Sequence, residues 1–436
     1  MLMAVMTGCG ATPIVEEPLP NEPVESQLPN IPDSDIKMPE KEDPQREENL
    51  STKTELEITN MGFNEFDSEL IEFLHINKAM ENYMVSPLSF RYAMALATAG
   101  AVGETQEELL ASVGFKSMNE YLEWTSKINS ITENFDAHLA QDIEDFKRWG
   151  YGDKEPFRAL KIANSIWHNT DKEGTIKNSY IDYAAENFKA TADNIPQKEL
   201  IDKVNGWVDE QTNGLIPSLL GSGAEEANTI LVNTLYLKSP WINTFDEYAT
   251  KEDDFTTVGG GKVKKEFMHQ QESFRYYEDE DSKLVIMPMA GGINMAVVLG
   301  NNENILDKIS KTTSEEVIIQ MPKFEVETSY DKKELINYLQ YKGVDLALRR
   351  EGGADFSTMI DDAELYIDDI IQKTKITVDE NGTEAAAATA IVMMETSAII
   401  MPKEPKEFIA NEPFTYYIYT NTESTPELLF FGQYVQ

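Results

Sequence analysis

A single cysteine, Cys9, stands among 436 residues, so no disulfide can close within the chain. Basic residues are scarce: 37 Lys and Arg stand against 77 Asp and Glu, a formal net charge of -40. Such a chain lacks the cationic face that binding nucleic-acid phosphates requires, and charge will not draw it to anionic lipid. The acidity serves solubility or the steering of cationic partners. Beyond the first ten residues no stretch is long and apolar enough to span a bilayer. The four histidines, His75, His138, His168 and His269, are scattered and sit in no HExxH or CxxC context, so neither a metal nor a cofactor is expected. GxSxG, P-loop and GxGxxG patterns are missing. LGSGAE (220–225) and VGGGKV (258–263) lack the context of a nucleotide site and read as turns. Carboxylate pairs such as Glu278 with Asp279, or Asp361 with Asp362, are solvated faces by default in so acidic a chain. No feature marks the protein as an enzyme.

What is present begins with MLMAVMTGCG. This short apolar run, ending in Gly8 and then Cys9, resembles the end of a bacterial lipoprotein signal, although Met6 stands where Leu is commoner and no basic segment precedes it. The resemblance implies that residues 1–8 are a signal remnant, that Cys9 is the lipid attachment site, and that the protein is held at the cell surface or outside the cell. Eight prolines then fall between Pro13 and Pro44 among Glu, Asp and Asn. Such a segment cannot bury enough apolar area to offset its ordering entropy, so 9–57 is expected to be a disordered tether. The folded domain is expected over 58–436.

Overall, 41% hydrophobic and 10% aromatic residues can supply a large core. FNEFDSELIEFLHINKAMEN, LSFRYAMALATAGAVG, GETQEELL and KELIDKVNGWVDEQ carry helical apolar spacing. A turn is expected at Ser86-Pro87, and small residues in the second of these helices allow close approach to neighbours. After Ala227 the texture becomes β-branched and aromatic, as in TILVNTLYLKSPW, EEVIIQMPKFEVETSY and FTYYIYT. Helices first and strands later predict one α+β domain.

The most informative stretch is VDENGTEAAAATA, from Val378 to Ala390. By propensity EAAAATA is helical, yet it follows a strand-like run across an Asn-Gly turn signal. It resembles the hinge of the serpins, the serine protease inhibitor superfamily. Other segments agree in order: NYMVSPLSF (82–90), ANSIWHN (163–169), VNGWVDEQTNGLI (204–216), LVNTLYLKSPW followed by Phe245, QMPKFEVE (320–327), ADFSTM (354–359) and NEPFTYYI with LLFFGQ (411–433).

The resemblance implies a helical half, three β-sheets and an exposed C-terminal reactive loop. It implies a suicide-substrate inhibitor: a serine protease cleaves the loop, forms an acyl-enzyme, and is trapped when the loop's leading arm enters the central sheet. The partner is then the target protease in covalent complex, and the inhibitor is expected to be a monomer. The hinge comprises Glu380, Gly382, Thr383, Glu384, Ala385, Ala386, Ala387, Ala388 and Thr389. As a strand it would place Thr383, Ala385, Ala387 and Thr389 on one face, with Glu384, Ala386 and Ala388 on the other. No proline between Gly382 and Met401 would interrupt a ladder.

In the family the residue before the scissile bond lies fourteen positions beyond the hinge glycine. From Gly382 this gives Thr396, with Ser397 after the cut and Met393, Met394 and Glu395 before it. Thr396 suits an elastase-like or subtilisin-like protease; cleavage at Met394 or Met401 would favour a chymotrypsin-like one. By motif match Ser86, Ser89 and Asn233 fall in a polar cluster beneath the opening point of the sheet. Gln372 stands where the family often has His and cannot titrate. Glu380 and Lys323 match a salt-bridged pair at the top of the sheet, beside Trp241. No basic stripe lies around 117–147, so no heparin-type activator is expected. The alternative is a serpin fold that acts as a chaperone or binding protein without inhibition.

Overall fold

The computed structural model describes residues 61–148, 158–330, 332–349, 352–361, 365–383, 404–421 and 425–436. Cys9 and the tether lie outside the described residues, as do 384–403.

The helical part opens with α1 (Glu65–Lys78), whose first turn is capped by the Asn64 side chain accepting from the Asp67 amide at 3.0 Å. A short strand, β1 (Tyr83–Val85), leads to α2 (Pro87–Gly100). The expected turn at Ser86-Pro87 is the start of this helix. Ser86 is its N-cap, and Pro87 takes the first position, where no N–H is required. Apart from Arg91, the residues of α2 are buried, and a Cβ on Gly100 would meet Met359 at 2.3 Å. The small side chains of α2 therefore permit the close approach that the sequence suggests. α3 (Gly103–Ser112) and α4 (Met118–Arg148) follow, then β2 (Ala159–Asn169), β3 (Thr175–Ile176), α5 (Asn178–Phe188), β4 (Thr191–Ile195) and α6 (Gln197–Gln211). Just past the end of α6, Asn213 and Gly214 both take the left-handed conformation that suits these residue types at a helix terminus.

The strand-rich part comprises β5 (Thr229–Pro240), β6 (Lys251–Thr256), β7 (Lys262–Glu278), β8 (Ser282–Met289) and β9 (Ile293–Gly300). After α7 (Ile305–Lys311) come β10 (Thr313–Pro322), β11 (Phe324–Tyr330), α8 (Lys332–Tyr341), β12 (Ile360–Asp361), β13 (Asp369–Asp379) and β14 (Gly382–Thr383). β15 (Lys406–Ile409), β16 (Phe414–Thr420) and β17 (Leu428–Tyr434) complete the chain.

Among the described residues three sheets form. A six-stranded sheet has the order β11-β13-β14-β5-β2-β4, and β12 pairs with β3 alone. A nine-stranded sheet runs β1-β17-β16-β9-β8-β7-β10-β15, with β6 on β7. The apolar run 313–330 is divided between two of them: β10 belongs to the larger sheet, β11 to the smaller, and the switch is at Lys323, whose amide donates to Glu266 O at 2.8 Å. Phe324, the first residue past the switch, packs its ring against Phe414, Tyr416 and Tyr434 at 5.1–5.7 Å and so ties the two sheets together.

One buried acid is unusual. Asp67, 3% exposed in α1, accepts from Asn64 Nδ2 at 2.9 Å, and burial raises its pKa to about 7 although Arg91 works against the rise. In the unfolded chain this carboxyl ionises near 3.8. The folded state therefore binds the extra proton, and its contribution to stability falls as pH climbs from about 4 to about 7. Asp67→Asn should raise the midpoint of urea unfolding clearly at pH 8 and much less at pH 5. An equal gain at both would show that Asp67 is ionised in the native protein.

Candidate functional site

The middle of the six-stranded sheet is where the predicted residues gather. β13 and β5 run parallel but pair directly only over Asp369–Gln372 with Ile230–Asn233. Above that, the facing edges of Lys373–Thr377 and Thr234–Lys238 are bridged by no strand among the described residues. At the top β14 is wedged between them. Thr383 pairs with Val378 on one side and Ser239 on the other; Gly382 pairs with Asp379 and Pro240. The two strands thus part over five residues each, a slot roughly 17 Å long at the usual strand rise, closed below by direct pairing and above by the hinge.

The upper closure depends on a tight turn. Asp379 Oδ1 accepts from the amides of Asn381 at 2.8 Å and Gly382 at 3.3 Å. Gly382 has φ 142°, and a Cβ there would lie 2.3 Å from Ser239 O and 2.6 Å from Pro240 Cα, so only glycine fits. The loop 241–250 clasps this turn. Trp241 donates its backbone N–H to Asn381 O and its indole N–H to Asp379 O, both at 2.9 Å, and the Phe245 amide donates to Glu380 O at 2.9 Å. Lys323 Nζ lies 3.1 Å from Glu380 Oε2, and the Thr250 hydroxyl donates to Glu380 Oε1 at 2.6 Å. Burial opposes ionisation of Glu380, but the Thr250 hydroxyl, the backbone and Lys323 outweigh it and hold its pKa below the ordinary value.

The lower closure is a buried polar cluster. Gln372, 1% exposed, accepts from the Ser86 amide at 3.2 Å and donates Nε2 to Ser86 O and to Asn233 Oδ1, each at 3.1 Å. Ser89 Oγ donates to Asn233 Oδ1 at 2.5 Å, and Ser86 Oγ accepts from the Ser89 amide at 3.2 Å. Asn233 Nδ2 in turn donates to Asn164 Oδ1 at 2.6 Å. One side chain of β13 is thus bound both to β5 and to the N-cap of α2, directly where the slot ends.

All six residues expected to govern sheet opening are therefore placed in two groups: Ser86, Ser89, Asn233 and Gln372 below, Trp241 and Lys323 with Glu380 above. Sequence reasoning missed Asn164 and Thr250. The first lay within a quoted motif, ANSIWHN, but only the register that sets Asn164 opposite Asn233 reveals its part. Glu384 to Thr389, Met393, Met394, Glu395, Thr396 and Ser397 lie outside the described residues.

These features define a protein built around a central sheet whose middle strands part beneath a clasped hinge. A family model for Serpin (serine protease inhibitor) matches residues 61–436. The chain is 30% identical over 399 residues to the leukocyte elastase inhibitor of Xenopus tropicalis, covering 85% of this chain and 97% of the relative. It is 27% identical over 390 residues to human Serpin B4, covering 83% and 95%. The crystal structure of the thermophilic serpin Tengpin in its native state is similar at TM-score 0.68 and 25% identity, covering 88% of this chain and 94% of that one. That of Serpin48 from the insect Tenebrio molitor is similar at TM-score 0.65 and 26% identity, covering 85% and 96%. The chain belongs to the serpin family, whose members are protease inhibitors rather than enzymes in the catalytic sense.

Proposed function

We propose that this protein is a suicide-substrate inhibitor of serine proteases, of elastase-like or subtilisin-like specificity, that traps the acyl-enzyme by drawing its cleaved reactive loop into the six-stranded sheet. The carrying observation is the register of Thr383. Because it already pairs with Val378 and Ser239, continued insertion would set Glu384 beside Thr377 and Lys238, and the four alanines beside Lys373–Ile376 and Thr234–Leu237. The slot of five therefore matches the one glutamate and four alanines in length.

The faces also match. Thr383 is 1% exposed on the core side with Val378, so Ala385 would follow it inward beside Ile376 and Leu237, and Ala387 beside Thr374 and Leu235, all of them buried. Glu384 would take the outer face near Lys238. The sixth residue, Thr389, would arrive at Gln372 and Asn233. Its hydroxyl can replace part of the bonding between those two as the strands separate. Full insertion beyond that point would require the 369–372 pairing with 230–233 to yield, so the polar cluster acts as the barrier that holds the native state.

Mixing the protein with pancreatic elastase and boiling in SDS tests this reading. The expected product is an adduct of the summed masses less residues 397–436, which leave as a C-terminal peptide that begins at Ser397. Cleavage without adduct would leave a serpin fold without inhibition.

The upper clasp gives a second expectation. Glu380→Lys would bring two ammonium groups together at a site where Glu380 has only 6% side-chain exposure, and would remove the bonds to Thr250 and Lys323. A loss on the order of 2 kcal/mol follows, reduced from the fully buried case because Lys323 is partly solvated. The purified variant should polymerise on warming well before wild type. An equal monomer lifetime would remove Glu380 from the control of opening.

A further inference from the structure

Asparagine followed by glycine is chemically unstable: the glycine nitrogen, with no side chain to shield it, can close on the asparagine Cγ. The sequence holds three such pairs, Asn205-Gly206, Asn213-Gly214 and Asn381-Gly382. Closure needs a free side-chain amide and a glycine nitrogen that can leave its hydrogen bond. The product disturbs the fold only where the chain has no room for it. Asn205 lacks the free amide. It lies inside α6, and its side chain accepts from the amides of Leu219 and Leu220 at 2.8 and 2.7 Å and donates to Leu220 O at 3.0 Å. Asn213 lacks the crowding. It is exposed past the end of α6, and a Cβ on Gly214 would meet nothing within 4 Å, so that turn can absorb a change.

Asn381 meets every requirement. It is half-buried at the tip of the turn between β13 and β14, and its side chain makes no hydrogen bond among the described residues. The Gly382 N–H contacts Asp379 Oδ1 at 3.3 Å and belongs to β14, the shortest strand of its sheet at two residues, so the hinge can open locally without global unfolding. Clearance is absent: a Cβ on Gly382 would lie 2.3 Å from Ser239 O, 2.6 Å from Pro240 Cα and 2.9 Å from Trp241 N.

We propose that Asn381 is a site of spontaneous deamidation that acts as a ratchet on the upper closure. When the hinge opens, the freed Gly382 nitrogen gives its proton to base and attacks Asn381 Cγ. The new N–C bond forms as the Cγ–Nδ2 bond breaks, and the side-chain nitrogen takes up a proton and leaves as ammonia. Water then opens the succinimide. Opening at Cγ leaves aspartate; opening at the main-chain carbonyl leaves isoaspartate, with Gly382 joined through Cγ and one more atom in the backbone. The lengthened chain cannot seat Gly382 again where even a single Cβ would collide. Its free carboxylate also falls beside Asp379 and Glu380, where Lys323 is already paired with Glu380 at 3.1 Å. Modification therefore holds the hinge out of the sheet. The chemistry is independent of the inhibitor reading; its consequence, loss of the trapping-ready state with age, rests on that reading and adds a regulation to it.

The test ages the purified full chain at pH 8 and follows two tryptic peptides by mass: 376–403, which contains Asn381, and 204–238, which contains Asn205 and Asn213. Deamidation adds one mass unit, and fragmentation places it. Asn381 should gain mass in the folded chain while Asn205 does not. Thr250→Ala removes the hydroxyl bonded to Glu380 and lets the hinge open more often, so it should speed the gain at Asn381 threefold or more and leave Asn213 unchanged. In an Asn213→Gln background, the modified fraction of aged protein can be separated from the unmodified by its extra negative charge, and it should lose monomer on warming at least three times sooner. No gain at Asn381, a rate indifferent to Thr250→Ala, or equal lifetimes of the two fractions would each overturn the proposal. A wild type that ages as described but forms no adduct with elastase would remove the inhibitor reading and leave the ratchet standing.

Discussion

Thr383→Arg is expected to convert the inhibitor into a substrate. Thr383 is seated with its side chain between both neighbouring strands: its hydroxyl accepts from the Ser239 amide at 3.0 Å and donates to Ser239 O at 3.2 Å, and the residue is 1% exposed. Arginine at this register would have to place a guanidinium on the core side, beside Val378. An uncompensated buried charge costs several kcal/mol. The native protein can avoid that cost by withdrawing the hinge from the sheet, where it is merely solvated. Insertion cannot avoid it, because every later residue follows Thr383 through the same gap. Cleavage should therefore proceed while trapping fails: elastase should turn over the variant, the C-terminal peptide should accumulate, and the SDS-stable adduct should fall to under a tenth of the wild-type yield. Thr383→Ser, which keeps the hydroxyl, should trap normally. Adduct at wild-type yield from the arginine variant would show that the hinge does not enter between β13 and β5.

How far the sequence reached is clearest at particular residues. The alternation from Thr383 to Thr389 follows from strand geometry alone, and it was legible because it needs only period two. Which of the two faces turns inward was not, since that depends on Thr383 lying beside Val378 rather than one residue off. The polar residues Ser86, Ser89, Asn233 and Gln372 were legible through motif resemblance, but their bonding was not. Asn164 enters the cluster only because β2 and β5 pair with Asn164 opposite Asn233, a contact across 69 positions of chain. The run 313–330 reads as one long β segment because alternation carries no record of a change of sheet; the switch at Lys323 is a tertiary event. Likewise Thr250 is an unremarkable threonine in an acidic stretch until the clasp loop brings it to Glu380. The five-residue length of the slot was beyond sequence reasoning altogether, because it is set by where two distant strands stop pairing.

That slot carries the second large expectation. If the loop's leading arm enters, about a dozen ladder hydrogen bonds form, each contributing roughly 1 kcal/mol net. The gain, on the order of 10 kcal/mol, exists before cleavage but is withheld by a barrier, so the intact protein is kinetically rather than thermodynamically secure. At a little over 1 °C for each kcal/mol in a folded part of this size, the nicked molecule should melt about 10 to 15 °C above the intact one, on the order of the gain divided by the unfolding entropy. The pairing lost at 369–372 with 230–233 is replaced by the incoming strand on both sides, so it subtracts little.

The most direct measurement is therefore a pair of melting curves, taken on the intact protein and on protein nicked once between Ala390 and Ser397 by a protease that is then removed. A midpoint raised by about 10 °C or more, with no new subunit contacts by sedimentation, is the predicted result. Coincident midpoints would mean that the cut loop stays outside the sheet, and would contradict the trapping account while leaving the fold intact.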